Sequence, residues 1–225
     1  MFITDMMKTD LIAVRPETTL VDAIQLMETG NFRHLPVIDG DGKLVGMVTD
    51  RDMRSAKPST FLSEDEYQRT FDKVMQHTVG EIMTTELLTV APYFTLQDAL
   101  LVMRQKKVGA LPVVDEKDRL TGIMSTRDLL KAFVNIMGIG EPGTLLCILV
   151  NEQPGQLKKI VDIVTEENVS MGSVLVARDW DEKKRAIFPY LLTNNVIAIK
   201  KKLLDQGFEL IDPMGWYLGH LPQKK

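Results

Sequence analysis

The chain has 225 residues, of which 44% are hydrophobic and 26% charged, a composition typical of a globular protein with one large or two small domains. Its formal net charge of −4 argues against a general nucleic-acid binder. No apolar run reaches the roughly 20 residues needed to cross a bilayer, and the single cysteine cannot form an internal disulfide. We therefore expect a cytoplasmic protein that binds neither nucleic acid nor membrane.

The first half of the chain contains an internal repeat. Shifting the sequence by 76 residues places residues 5–53 over residues 81–129 without a gap. The segment Leu-Pro-Val at 35–37 then falls on the same three residues at 111–113. Because chance does not align so many residues without a gap, we interpret this half as a duplication.

Each copy is predicted to fold as helix, strand, strand, helix. A Thr followed three residues later by Asp is typical of a helix N-terminus, and it precedes an apolar stripe at both Thr19 and Thr95. Two short apolar strands follow, separated by an Asp-rich turn, and the second strand runs to Thr49 or Ser125. One such unit has too little apolar surface for a core, so we expect the copies to pack about a pseudo-twofold axis.

The duplicated region is predicted to span residues 1–135. Copy one covers about 1–56, a connector 57–78, and copy two 79–135. The connector contains an amphipathic pattern, which predicts a structured helix in the middle of this segment. Its inward side chains are expected to be Tyr67, Phe71, Val74 and Met75.

Both copies carry the pattern Gly-apolar-apolar-Thr/Ser-x-x-Asp, at 46–52 and at 122–128. The simplest interpretation is a helix cap, which contributes about 1 kcal/mol without any ligand. Anion binding is favoured by Arg51 and Arg127, because a cation in the first turn opposes the helix dipole, and by the free N–H groups of that turn. The Asp can accept hydrogen bonds from sugar hydroxyls, so the motif suits a ribose phosphate.

Both motifs resemble CBS motifs, which in pairs form a module with two clefts that commonly bind AMP, ATP or related adenosine ligands. The resemblance implies that the Thr or Ser lies near phosphate or ribose and that the Asp holds the ribose hydroxyls. It also implies that the residue after the Gly packs on the adenine, and that Ile12 and Leu88 line the base pocket.

The copies differ just before their first strand. Copy one has Arg33 and His34, which resemble basic CBS positions that reach phosphates, although a packed or surface role for His34 is the alternative. Copy two has Gly109 and Ala110 there, with Lys107 close by, so we predict two unequal clefts. The predicted nucleotide-binding residues are Ile12, Arg33, His34, Met47, Thr49, Arg51, Asp52, Leu88, Lys107, Ile123, Ser125, Arg127 and Asp128.

A second domain is predicted over residues 143–218, after a Gly- and Pro-containing linker at 136–142. Strand and helix patterns alternate in the order βαββαβ, which is the ferredoxin-like arrangement. Gly207 is well placed to end the second helix.

The turn Glu-Gln-Pro-Gly-Gln-Leu at 152–157 resembles the ACT domain, a regulatory module that often binds amino acids where two copies meet. In that family the Gly lets a ligand approach the backbone. Glu152 stands where Asp is common and Ser170 where Asn is frequent, so the other interpretation is a domain that only dimerises the protein. The residues implied for amino-acid binding are Glu152, Gln153, Gly155, Gln156 and Leu157.

The predicted fold class is α+β: a tandem CBS pair, or Bateman module, followed by a ferredoxin-like βαββαβ ACT domain. This order is similar to acetoin-utilization regulators of the AcuB type. The sequence has no Walker loop, dinucleotide fingerprint or nucleophile elbow, and its histidines and Cys147 share no metal-ligand spacing, so we expect neither an enzyme nor a metal site.

We predict a homodimeric regulator whose CBS clefts bind AMP, ADP, ATP or a related adenosyl compound as a regulatory ligand. Binding would transmit a conformational change to the ACT-like domain or to a protein partner that the sequence does not identify. The alternatives are a ligand-free interaction scaffold and an amino-acid sensor that acts through the ACT-like domain.

Overall fold

The structure of the chain, a computed structural model, describes residues 1–178 and 184–212. The end of the predicted second domain, residues 213–218, therefore lies outside the described residues. The chain divides between Leu130 and Lys131 into two units, each of which is described by itself. None of the helices in the described ranges combines the length and the apolar character needed to span a bilayer.

The first unit contains the two copies of the repeat, and each has the predicted order of helix, strand, strand and helix, which confirms that part of the prediction. The connector contains the predicted helix, α3 (Glu64–Val74). A short 3-10 turn, Ile3–Asp5, precedes the first copy. The elements are α1 (Leu20–Gly30), β1 (His34–Ile38), β2 (Leu44–Thr49), α2 (Asp50–Ala56), α3 (Glu64–Val74), α4 (Val79–Ile82), α5 (Leu96–Lys106), β3 (Ala110–Val114), β4 (Leu120–Ser125) and α6 (Thr126–Ile136), which continues past Leu130.

Side-chain caps fix where the helices of each copy begin. The Thr19 hydroxyl accepts from the N–H of Asp22 at 3.2 Å, and the Thr95 hydroxyl accepts from the N–H of Asp98 at 3.1 Å. Each cap satisfies a backbone donor that has no partner within the helix. The repeated Thr-x-x-Asp spacing therefore sets the same helix start in both copies.

The two copies exchange short segments across their hairpins. β1 pairs antiparallel with β2, and β3 with β4. Met47 of β2 also exchanges both backbone hydrogen bonds with Thr84 from the start of copy two, at 3.0 and 2.9 Å. Lys8 does the same with Ile123 of β4, at 3.0 Å in both directions. Each hairpin is thus bordered by a segment of the other copy, in agreement with a pseudo-twofold pair.

The core of copy one lies between α1, α2 and the β1–β2 hairpin. It also includes Met75 and Val79, which follow α3, so the connector is part of the packed structure. Burial of these side chains is the main term that holds the copy together. The buried members are Val14, Leu20, Ala23, Met27, Leu35, Val37, Val48, Met53, Met75 and Val79.

The second unit is built on one antiparallel sheet. Its elements are β5 (Thr144–Leu145), β6 (Ile148–Asn151), α7 (Gln156–Glu166), β7 (Met171–Ala177), β8 (Lys184–Leu191), α8 (Ile197–Asp205) and β9 (Glu209–Leu210). β5 and β6 meet β8 in one continuous register, so they act as a single interrupted strand. Counted in this way, the elements follow the order βαββαβ, and the strands lie in the spatial order β9, β6, β8, β7.

The two helices of this unit cover one face of the sheet. Apolar side chains of α7 and α8 pack with the alternate residues of β6 and β8 that point toward them. Gly207, with a φ of +82°, follows α8 in the left-handed conformation that glycine favours. The buried core residues are Leu146, Ile148, Val150, Ile160, Ile163, Val164, Ile187, Leu191, Val196, Ile199, Leu203 and Phe208.

Candidate functional site

The largest described cavity of the first unit, with a volume of about 510 Å³, lies at the end of β2 and the start of α2. We call it cleft one. Its wall contains residues from both copies, which the exchange of segments brings together. Eight of the predicted nucleotide-binding residues line it: Arg33, His34, Met47, Thr49, Arg51, Asp52, Leu88 and Lys107.

The apolar side of cleft one comes from two different copies. Met47 belongs to β2, and its backbone pairing with Thr84 places the segment that ends at Leu88 alongside it. Leu88 was predicted from the sequence, whereas Thr84 and Leu87, which also line the cavity, were not. Their only sequence signal is the repeat itself, because they match the segment before Ile12.

The polar side of cleft one is held by the α2 cap. Oδ2 of Asp52 accepts from the Thr49 N–H at 2.8 Å and from the Thr49 hydroxyl at 2.7 Å. Both contacts use one oxygen of a half-buried carboxylate, so Oδ1 can accept from a ligand hydroxyl. The cap interpretation and the ligand interpretation of this motif are therefore compatible.

Several charged groups surround the same polar side. Arg33, Arg51 and Lys107 line the cavity, and none of them has a carboxylate within ion-pair distance among the described residues. Arg54 is paired with Asp50 at 3.0 Å. The wall holds four cations, the fourth being Arg54, against three carboxylates, Asp50, Asp52 and Glu86, so the balance of charge favours an anionic ligand over a neutral one.

His34 lines cleft one and also two smaller cavities, which are described below. Burial lowers its pKa below the ordinary value, and Arg33 acts in the same direction, whereas Asp50 and Asp52 oppose the shift. Its ring also rests against Gly109, where an added Cβ would come within 3.0 Å of Nε2. His34 is therefore held as a mostly neutral side chain at neutral pH.

The equivalent cleft of copy two, which we call cleft two, is divided into two small cavities. One, of about 110 Å³, is lined by Ser125, Arg127 and Asp128, and the other, of about 130 Å³, by Ile12 and Ile123. The residues that border both are Lys8, Phe32 and His34. All thirteen predicted residues thus line one of the two clefts, but the clefts differ greatly in size.

Phe32 explains much of this difference. The repeat places Val108 at the matching position of cleft one, where the side chain is much smaller. The Phe32 ring lies over Gly30, since a Cβ added at that glycine would overlap the ring. Copy two has Lys106 at the position of Gly30. This role of Phe32 was not predicted from the sequence.

The second unit has a cavity of about 400 Å³ at the turn between β6 and α7. All five residues implied for amino-acid binding line it: Glu152, Gln153, Gly155, Gln156 and Leu157. Arg185 of β8, which the sequence analysis missed, lines it as well and forms an ion pair with Glu152. The buried Nε of Arg185 has no hydrogen-bond partner among the described residues.

Comparison with known families identifies the first unit. The family model for the CBS domain matches residues 3–59 and residues 79–135, together half of the chain. The chain belongs to the CBS domain family. The matched ranges coincide with the two copies of the repeat, so cleft one and cleft two are the clefts of a CBS pair.

Two known proteins resemble this chain over most of their own length. A CBS domain-containing protein from Dictyostelium discoideum is 35% identical over 135 residues, which are 60% of this chain and 92% of the relative. An acetoin utilization protein (AcuB) from Vibrio cholerae is 30% identical, with a TM-score of 0.53, and the match covers 63% of this chain and 98% of that structure.

CBSX2 from Arabidopsis thaliana, solved in complex with AMP, is a further CBS pair of this kind. In that complex it is 31% identical to this chain, with a TM-score of 0.51, over 60% of this chain and 97% of CBSX2. Inosine-5′-monophosphate dehydrogenases also match, but this chain spans only about a fifth of their length, within their CBS part. The Dictyostelium protein, the AcuB structure and CBSX2 are each matched over 92% or more of their own length.

Proposed function

We propose that this chain is a non-catalytic regulator that binds AMP, ADP or ATP in cleft one. The observation that carries the proposal is the composition of one cavity of about 510 Å³, a size within the usual range for small-molecule sites. Met47 and Leu88 supply an apolar wall for the base, Asp52 supplies an acceptor for the ribose, and Arg33 and Lys107 supply charge for phosphate. The AMP complex of CBSX2 supports this choice of ligand class.

The proposed mechanism is a shift between arrangements of the CBS pair. Cleft one takes Thr49 and Asp52 from copy one, and Leu88 and Lys107 from copy two. A nucleotide that contacts both copies stabilises the arrangement in which both sets of contacts form. It can shift the population only by the difference between its affinities for the two arrangements. A protein partner or the second unit would respond to that shift in population.

The direct test is a titration of the full chain with AMP, ADP, ATP, NAD and S-adenosylmethionine by isothermal calorimetry. We expect saturable binding of at least one adenine nucleotide, with one site per chain. If none of the five compounds binds, the chain is better described as a ligand-free scaffold, and the proposal is wrong.

A second function, amino-acid sensing, is favoured by the cavity in the second unit. The order βαββαβ and the strand order β9, β6, β8, β7 support a ferredoxin-like, ACT-like domain. The unpartnered Nε of Arg185 beside Glu152 would suit a ligand that carries both a carboxylate and an amine. Replacement of Arg185 by Gln should then abolish a response to amino acids without changing the response to nucleotides.

We also propose that the protein is cytoplasmic and forms a homodimer. Support for the dimer comes from the sheet face opposite α7 and α8, which carries Leu145 and Leu175, 54% and 46% exposed. Exposed leucines on a sheet face are stabilised when a second apolar surface covers them. Sedimentation equilibrium of the full chain, and of a Leu145→Lys and Leu175→Lys double variant, tests this part of the proposal.

A further inference from the structure

The smaller polar cavity of cleft two adjoins cleft one. Its volume is about 110 Å³, far below the roughly 300–1,000 Å³ of sites that hold a whole small-molecule ligand. Arg33, His34, Gly109 and Thr126 line both this cavity and cleft one. The two spaces therefore share a wall, and the small one has no room for a second nucleoside.

The charges around the small cavity are strongly unbalanced. Lys8, Arg33 and Arg127 line it, and none of the three has a carboxylate within 4.0 Å in the part of the chain that the structure describes. The one carboxylate of its wall, Asp128, is engaged through Oδ2 with the N–H of Ser125 at 2.9 Å. Three cations without an anionic partner, at a cavity of this size, indicate a site for a phosphate group.

The Arg127 guanidinium has donors available for a phosphate group. Its only hydrogen bond among the described residues runs from Nη1 to the carbonyl oxygen of Asn31, at a long 3.5 Å. The remaining donors of the guanidinium are available. The cavity also lies at the N-terminus of α6, a helix of 11 residues, whose dipole favours an anion there.

We propose that the small cavity is a subsite for the terminal phosphates of a nucleotide whose nucleoside occupies cleft one. This inference rests on the proposed function and deepens it, because it assigns cleft two to the same ligand rather than to a second nucleotide. Arg33 and Thr126, which border both spaces, would lie beside the phosphate chain where it passes between them. The subsite makes the CBS pair selective for a triphosphate over a monophosphate.

The test compares AMP and ATP on the full chain by calorimetry, at fixed salt and without divalent cations. We expect the wild-type chain to bind ATP more tightly than AMP. Arg127→Gln should weaken ATP binding about tenfold, because a charge-assisted hydrogen bond to phosphate is lost, and should leave AMP binding within a factor of two. Arg104→Gln is the matched control, since Arg104 is exposed on α5 and lines none of the described cavities.

Each other outcome contradicts a specific part of the inference. If Arg127→Gln changes neither ligand, or weakens both equally, the cavity is not a subsite for terminal phosphates, while the proposed function stands. If free pyrophosphate binds at Arg127 but ATP has no advantage over AMP, the cavity holds a separate anion and the inference is wrong. If neither nucleotide binds to the wild-type chain, the proposed function itself fails.

Discussion

At the scale of a single residue, Asp52 both caps a helix and lines the proposed ligand site. Its Oδ2 caps α2 through Thr49, and the same carboxylate faces cleft one. A variant at this position therefore changes stability as well as ligand binding. Any test of its binding role needs a control that removes a cap of the same geometry away from the cleft.

We expect Asp52→Ala to abolish most of the nucleotide binding and to lower stability by about 1 kcal/mol through the lost cap. Binding is lost because the ribose hydroxyls lose their acceptor, and stability falls because the partly buried Thr49 N–H loses its Asp52 partner. Calorimetric titration with the tightest nucleotide measures the first effect, and urea unfolding measures the second.

Asp98→Ala is the matched control for this experiment. Oδ2 of Asp98 accepts from the Thr95 N–H at 3.0 Å and from its hydroxyl at 2.6 Å, the same geometry as at Asp52. Asp98 lines none of the described cavities, so Asp98→Ala should lower stability similarly and leave the affinity unchanged. Equal losses of affinity in both variants would show that Asp52 acts only through the fold.

His34 gives a prediction about pH. Its pKa is lower in the folded chain than in the unfolded chain, mainly because of burial, so the unfolded state binds more protons near pH 6. The neutral side chain therefore contributes stability that is fully present above the unfolded value of about 6.5 and is lost as the pH falls through the folded value. Asp50 and Asp52 oppose this shift, and Arg33 adds to it.

The expected result is a difference between the wild-type chain and His34→Gln. From about pH 7.5 to about pH 5.5 the free energy of unfolding of the wild type should fall more steeply, because Gln takes up no proton. Urea unfolding of both proteins at closely spaced pH values measures the difference, and the other titrating groups cancel in it. Parallel pH profiles would show that His34 is not held neutral.

At the scale of the elements, the repeat could be predicted well and the difference between its copies only in part. Identical Thr-x-x-Asp spacing and the matching Leu-Pro-Val segments specify the same helices and strands twice. The segment after α1 and α5 also has one backbone shape, since Asn31 and Lys107 both adopt a left-handed conformation, with φ of 49° and 55°. What the alignment could not show is where the next side chain points.

Phe32 and Val108 illustrate the difference between the two copies. They occupy equivalent positions, but Phe32 borders both parts of the divided cleft two, whereas Val108 lines cleft one. Gly30 leaves room for the Phe32 ring, whereas Lys106 stands at the matching position of copy two. An isolated comparison of Phe with Val does not reveal this, because the ring position depends on a residue two places earlier in the chain.

Replacing either residue by the other should change the cleft that it borders. Val108→Phe places a larger side chain into cleft one, and we expect the nucleotide affinity to fall about tenfold or more, since overpacking costs about 1–3 kcal/mol. Phe32→Val joins the two small cavities and should add a weaker second site. The number of sites per chain and the affinity from calorimetry measure both effects. A Val108→Phe variant with wild-type affinity would place the ligand elsewhere.

At the scale of the whole molecule, composition and periodicity predicted the division into an N-terminal pair and a different C-terminal unit. The order of strands and helices in the second unit followed from its apolar stripes and turns. Arg185 could not be predicted as part of its cavity, because nothing in the local sequence links β8 to the turn at 152–157. That link exists only through the pairing of β6 with β8, which sets Val150 opposite Arg185.

The two units have separate hydrophobic cores, which leads to a prediction about thermal unfolding. A ligand stabilises only the state to which it binds, by about 2.7 kcal/mol at 100 times its dissociation constant. For a unit of this size that corresponds to a shift of several degrees. We expect a saturating adenine nucleotide to raise the unfolding temperature of the first unit and to leave that of the second unit unchanged.

Differential scanning calorimetry of the full chain, with and without the nucleotide, measures these shifts. The Asp52→Ala variant identifies the transition of the first unit, because only that transition should lose its response. An amino acid that shifts the other transition, with the shift lost in Arg185→Gln, would assign amino-acid sensing to the second unit. If the chain instead unfolds in one transition that every ligand shifts as a whole, the two cores are coupled. Nucleotide binding at the first unit would then also stabilise the second unit, through the coupling of their unfolding.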